Sequence, residues 1–235
     1  MFVVSSRILP MPTPRLRRSN LSQSVRARLS RAIIAGEFEP GSRISEPLLA
    51  EKLGVSRAPI REALIELQLR GLVEFDATGH TRVPALDPRD LEEIFAVRLM
   101  IDPVAAALAA EHAGAETFAA LERNIAATGS ARLLADVSRL DAEFHDLIVR
   151  AAGNRRLLLC WNVLRDQIGL WLTQMQRRHE KVTQRTRQQT VASHRKLLQV
   201  IRSGDAERAA TEARRHVDGW RKLLPASPAG AAGNH

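Results

Sequence analysis

The hydrophobic positions of the chain fall into two regimes. Between Ser45 and Val73 they come in short helical groups, Leu48, Leu49, Ala50 and Leu53 and then Ile60, Ala63, Leu64 and Leu67. The second group recurs at i, i+3, i+4 and i+7, the spacing of one helix face. Ser45 suits an N-cap, with Pro47 in the first turn, where a missing backbone N–H costs little. Gly54 ends the first helix, Ser56 caps the second and Gly71 closes it. Two helices with so tight a joint cross steeply, and this predicts a helix-turn-helix whose second helix offers its N-terminal residues to a major groove. Beyond Gly71, Leu72-Val73-Glu74-Phe75, a Gly-containing turn and Thr81-Arg82-Val83 predict two short strands, with Val73, Phe75, Thr81 and Val83 as strand residues. Such a hairpin is a wing. Upstream, residues 21–35 predict a helix, and residues 84–88 a short linker.

From Arg89 the pattern is helical throughout. Turn signals recur near Gly114, Gly129, Gly153-Asn154 and Ser203-Gly204-Asp205, where Gly204 ends one helix and Asp205 caps the next. The fold class expected is mainly α: an N-terminal winged helix-turn-helix with a small β-hairpin wing, followed by a C-terminal antiparallel all-α helical bundle. The expected division is a flexible basic arm over 1–19, a DNA-binding domain over 20–84, a linker over 85–90, a helical domain over 91–224, and a small-residue tail over 225–235.

Charge sharpens the first half of this picture. The chain carries a net charge of +9, but residues 1–36 hold seven arginines and no acid, while the rest has 28 basic against 26 acidic residues. Excess charge concentrated at one end favours a polyanionic partner there. On the second helix Arg57 and Arg61 stand one turn apart and project together. A guanidinium pairs bidentately with guanine or clamps a phosphate, and Ser56 with the free N–H groups of the first turn adds a phosphate site. An amphipathic hairpin with solvated arginines would share this spacing.

The longer pattern separates the two. I-x-x-G-x-F-x-P-G-x-x-I from Ile33 to Ile44, L-G-V-S-R-A-P-I-R-E-A-L from Leu53 to Leu64 and G-L-V from Gly71, in that order, resemble the GntR family of winged-helix regulators over residues 21–84. The resemblance implies DNA contacts from Arg57 and Arg61, a wing tip at Thr78, Gly79 and His80 that reads the minor groove or backbone, and Arg43 as a phosphate contact. Where many members carry an arginine early in the preceding helix, this chain has Pro47.

Of seven histidines, three lie on stripes that their helices should bury. Asp141 and His145 share a face with Ile148; His194 begins the series Leu197, Leu198, Ile201; His216 follows Ala209 and Ala213 and precedes Trp220. A core histidine bonded to a backbone carbonyl explains any one of them. Converging imidazoles with a carboxylate explain them jointly, as ligands of a divalent cation, zinc or nickel by their nitrogen-rich character. Residues 91–224 also resemble the FCD ligand-binding domain of the FadR-type subfamily, through R-L-M-I-D-P-V-A-A-A-L-A-A from Arg98, D-x-x-x-H and A-A-G-N between Asp141 and Asn154, and H-x-x-L-L-x-x-I-x-x-G-D from His194. That resemblance implies a bundle of six or seven helices and a divalent metal on Asp141, His145, His194 and His216. His80, His112, His179 and His235 match no ligand position, and Asp102 stands where glutamate is usual.

Arg98 follows Leu91, Ile94 and Phe95 on an apolar face, so its guanidinium requires an anion. Asp102, one turn on, is one candidate; the carboxylate of a bound effector is the other. The function expected is a homodimeric transcriptional regulator that binds an inverted-repeat operator in double-stranded DNA under control of a small organic acid. A metal-dependent hydrolase using the same His/Asp site is the alternative, though the sequence has no HExxH motif, no nucleophile elbow and no second acid or base beside the candidate ligands. A nucleic-acid-coating protein would want aromatic platforms, and this chain has no tyrosine and 4% aromatic residues. No window approaches the roughly 20 apolar residues of a spanning helix, so the expected location is the cytoplasm without membrane association. Cys160, the one cysteine, cannot form an internal disulfide and reads as a small buried hydrophobe.

Overall fold

A computed structural model describes residues 16–221. The predicted arm lies largely, and the tail wholly, outside the described residues. The chain begins with α1 (Leu16–Ile34), longer at its start than the pattern suggested, and turns through Gly36 and Gly41 into β1 (Arg43–Ile44). Then come α2 (Glu46–Leu53) and α3 (Arg57–Leu69), followed by β2 (Glu74–Phe75) and β3 (Thr81–Arg82). The Ser45 hydroxyl caps α2 through Leu48 N–H, and Gly54 leaves it at φ 64°, the left-handed turn that glycine enters without strain. The wing is a three-stranded antiparallel sheet in the order β1-β3-β2, with Arg43 opposite Arg82 and Phe75 opposite Thr81. Its third strand, β1, was not expected: two residues are too short to show an alternation, and only β3 gives them a partner. Val25, Leu29, Ile33, Ile60, Leu64, Leu67, Leu72 and Val83 form the core of this domain.

Pro88 opens α4 (Pro88–His112) inside the stretch expected as linker, behind a reciprocal cap in which Asp87 and Asp90 side chains each accept the other's backbone N–H. The bundle continues with α5 (Ala115–Ser130), α6 (Leu134–Ala151), α7 (Arg155–Thr183), α8 (Thr186–Arg202) and α9 (Ala206–Arg221). Helix α4 packs along α9, α6 lies between α5 and α7, and α8 crosses α4, α5 and α9. The break after α7 carries no Gly or Pro signal; Gln184 makes it at φ 53°. Gly129 stays inside α5, which ends just after it.

Helix α7 serves both domains. Trp161, Ile168, Trp171, Leu172 and Met175 face the bundle core, whereas Leu170 belongs to the core of the winged helix. Thr173 Oγ1 donates to Ile34 O at 2.6 Å, Arg177 Nη2 to Gly36 O at 2.6 Å and Gln174 Nε2 to Pro84 O at 3.3 Å. Arg70, just past α3, pairs with Asp166 at 3.0 Å. The linker and the end of α1 are thus pinned to one helix of the bundle.

Cys160 corrects the sequence reading, for it is exposed. It lies beside Leu159 and Val163, which are 56% and 64% exposed, while the adjacent Trp161 takes the inward position. The α4 residues Met100 and Val104 are likewise 64% and 47% exposed. No described helix is long and apolar enough to cross a membrane.

Candidate DNA interface and metal centre

The α3 face opposite Ile60, Leu64 and Leu67 presents Arg57 and Arg61 to solvent. Ser56 precedes the helix in extended conformation and its side chain makes no capping bond, so the first-turn N–H groups have no partner from that hydroxyl. These are anion-binding groups at the positive end of a helix dipole. At the wing, Asp76 Oδ1 accepts from Thr78 N at 3.0 Å, Thr78 Oγ1 at 2.6 Å and His80 N at 3.0 Å. The Thr78 hydroxyl gives its proton to that carboxylate, so the 2.6 Å contact from His80 Nδ1 must be a donation to Thr78. These bonds, the Thr78 hydroxyl first, hold the Asp76 carboxyl well below the usual carboxylate range. Gly79, at φ 78°, closes the turn. Arg82 and Arg43 lean on the other Asp76 oxygen at 3.2 and 3.8 Å. Arg43 is therefore tethered beside the wing tip, and Arg82, which sequence reasoning passed over, lies next to it.

In the bundle, α6, α8 and α9 each deliver a buried imidazole to one point. His145, His194 and His216 each offer a ring nitrogen within 4.8 Å of the others. His216 Nε2 is 3.2 Å from His145 Nε2. Asp141, fully buried, reaches the cluster through His194, with Oδ1 2.7 Å from Nε2. Neither of those two atoms makes a hydrogen bond, and His194 Nδ1 has none either. Buried polar atoms without partners are rare because each costs about 1–3 kcal/mol, and a cation would satisfy Asp141 Oδ1 together with the one His194 nitrogen turned to the cluster. The donor set fits one: three converging imidazoles, with the Asp141 carboxylate against His194, suit zinc, nickel or a similar ion. Burial, reinforced by the Arg98 charge and the neighbouring rings, pushes the His145 and His216 pKa values well below the ordinary histidine value. They stay neutral, as ligation requires.

Residues around the cluster fix its orientation. Ser193 Oγ lies 2.6 Å from His216 Nδ1, and with Nδ1–H donating to it, the His216 Nε2 lone pair faces inward. Gln176 of α7, fully buried, donates Nε2 to Asp141 Oδ2 at 3.0 Å and accepts from Ser138 at 2.8 Å. Phe144 stacks on His194 at 3.8 Å. None of these supporting residues was picked out from the sequence. Gln176 carried a signal: it sits on the stripe Ile168, Leu172, Met175, where a polar side chain needs a partner. Ser193 carried none, being off the His194 stripe.

Arg98 is 0% exposed and donates from Nε at 3.0 Å and Nη2 at 2.7 Å to Asp102 Oδ2. Nη2 also lies 3.0 Å from His145 Nε2. Of the two anions considered for Arg98, Asp102 is thus engaged, but Nη1 has no partner. Burial raises the Asp102 pKa, against the pull of Arg98 and with the push of Asp141. The space beside the cluster, between Asp102, His145, Ala213 and His216, is a cavity of about 10 Å³, room for about one water.

Two family models match the chain, "Bacterial regulatory proteins, gntR family" over residues 21–83 and "FCD domain" over residues 93–219. The chain is 32% identical to the probable D-xylose utilization operon transcriptional repressor of Paenarthrobacter nicotinovorans, over 91% of each chain. It is 35% identical to the uncharacterized transcriptional regulator YdhC of Bacillus subtilis, over 55% of this chain and 59% of that one. Among solved structures, McbR/YncC of Escherichia coli superposes with TM-score 0.73 at 20% identity, covering 86% of this chain and 96% of the other. A GntR regulator of Rhodococcus gives 0.76 at 20% identity, with 88% and 99% coverage.

Proposed function

The chain belongs to the GntR family of bacterial transcriptional regulators and carries an FCD domain, and from that premise we propose that a metal centre and a small carboxylic acid in the bundle control how it holds its operator. The observation that carries this reading is the cluster of three buried imidazoles, with Asp141 against His194 and neither of their facing atoms hydrogen-bonded. A bound cation would supply Lewis-acidic positions for the oxygens of an acid. The protein supplies the rest. Asp141, His145, His194 and His216 hold the ion, Gln176 and Ser193 hold two of those ligands, and Arg98 Nη1 is the donor left for the acid.

The 10 Å³ cavity gives this site a switching character. No organic acid enters without moving side chains, so an effector favours an opened arrangement and shifts the population toward it by its differential affinity for the two states. The route to DNA runs along α7. Gln176 touches the ligand Asp141, while Thr173, Gln174 and Arg177 on the neighbouring turns hold the backbone of the winged helix. The linker, which the sequence offered as the connection, is itself fastened to α7 at Pro84.

A thermal-shift screen of sugar acids, hydroxy acids and dicarboxylates on metal-loaded protein should find a stabilising hit that also changes operator affinity. Arg98→Ala should lose most of the shift, at least tenfold in effector affinity, and still bind DNA. A hit that acts equally on Arg98→Ala, or only on addition of uncharged ligands, contradicts the clamp.

DNA contacts are read onto Ser56, Arg57, Arg61, Arg43 and the wing tip Thr78, Gly79 and His80, all solvent-facing on one domain. The exposed apolar side chains Met100 and Val104 on α4 and Leu159 and Val163 on α7 support a homodimer. A two-fold pair of winged helices then matches an inverted-repeat operator.

A further inference from the structure

His216 is a wall between two spaces. On its inner side lies the closed metal cavity; on its outer side, between α8 and α9, is a groove of about 270 Å³ lined by Ser193, Lys196, Glu212, Arg215, Gly219 and Trp220 as well as His216. That volume is many times what one water needs and leaves room for a small organic molecule. Its polar lining is arranged. Glu212 has a side chain 10% exposed, one turn before His216, and Lys196 closes over it at 2.9 Å with its own side chain 60% exposed. Arg215, 70% exposed, stands 3.9 Å from the same carboxylate at the rim. One buried anion is therefore covered by two movable cations.

Gly219 makes room for this. It lies within α9, where glycine is a poorer helix former than alanine. A Cβ built on it meets nothing within 4 Å. No neighbouring atom demands a glycine there, and the groove is what its bare backbone leaves open.

We propose that the α8/α9 groove is a second small-molecule site, which takes an amino-acid-like zwitterion with its ammonium on Glu212 and its carboxylate on Lys196 and Arg215. An ion-pair exchange makes this feasible. The incoming ammonium replaces Lys196 on the buried Glu212, and the released Lys196 meets the carboxylate, so no charge is left buried alone. A plain carboxylate leaves Glu212 to repel it, and a plain amine leaves Lys196 displaced without an anion. The occupant would lie against Ser193 and His216, which are hydrogen-bonded to each other, and so touch the metal centre from outside. The site itself does not depend on the metal reading.

The test titrates the full-length protein, as purified and with its metal content measured, with a panel of L-amino acids by calorimetry. Each is compared with its deaminated and its decarboxylated counterpart. At least one amino acid should bind tenfold or more tighter than both counterparts. Gly219→Leu, which adds a bulky side chain at the groove's lining, should weaken that binding at least tenfold while operator binding and metal content stay at wild-type levels. Gly219→Ala, a folding control, should retain it. Glu212→Gln should reduce the amino acid to the affinity of its deaminated counterpart. Failure of every amino acid to outbind its counterparts, or undiminished binding to Gly219→Leu, overturns the proposal. Amino-acid binding that persists when the protein is metal-free supports this site, since its lining needs no ion.

Discussion

His194→Ala protein is expected to purify without a stoichiometric divalent cation, whereas the wild type carries one per chain. His194 touches Asp141 at 2.7 Å and is fully buried in the centre of the cluster, so its loss removes a ligand and leaves Asp141 without its neighbour. Loss of a residue that merely supports a ligand typically costs 10–100-fold in metal affinity, and loss of the ligand itself should exceed about 100-fold. The ion would tie α6, α8 and α9 together. With metal at about 1,000 times its dissociation constant, linkage contributes about 4 kcal/mol, so chelation should lower the melting temperature by roughly 10 °C. Elemental analysis of untagged protein and a chelator melt measure both. Equal metal content in wild type and His194→Ala, with no effect of chelator, would return the three imidazoles to the status of core residues.

Arg57→Ala and Arg61→Ala are each expected to weaken operator binding by about 1 to 3 kcal/mol if the side chain reads a base edge, and to weaken binding to random DNA less. The two arginines are exposed on a helix whose opposite face, Ile60, Leu64 and Leu67, is fully buried, so their removal should leave the fold intact. The other half of the same expectation is the dimer. Met100→Glu places a charge in the exposed α4 strip and should yield monomers by sedimentation, with operator affinity falling by at least tenfold because one winged helix reads too few bases. Unchanged operator affinity in both arginine variants would sink the recognition-helix assignment.

The sequence made these residues visible to different degrees, for physical reasons. Ser45, Gly54, Gly71, Gly204 and Asp205 act locally, through a cap bond or a positive φ, and local chemistry is legible in the residue itself. The three histidines were legible because each broke an apolar stripe, although no spacing could say that three stripes met. The strand β1 was not legible, since its strand pairing is with β3, far along the chain, where Arg43 stands opposite Arg82 and Ile44 opposite Thr81. Cys160 misled because residue type was weighed without phase on the helix: Trp161 next to it takes the core. Gln176 and Ser193 act through contacts across helices, and neither has meaning until α6, α7, α8 and α9 are placed. Arg98 was legible as a buried charge, but only the packed bundle shows Asp102 holding two of its nitrogens while Nη1 goes without.

The account stands on a link between the metal centre and DNA, and the affinity of metal-loaded and chelated protein for the same operator tests it most directly. Coupling between two sites is typically about 1–3 kcal/mol, so the two forms should differ by at least about fivefold, and operator should change metal affinity by the same factor. Thr173→Val removes the bond to Ile34 O without touching the cluster. Gln176→Leu cuts the contact with Asp141. Each should retain metal when metal is supplied in excess, and each should bring the two operator affinities together. Identical operator affinity of the loaded and chelated wild type, at matched salt and with the protein folded in both, would contradict the account.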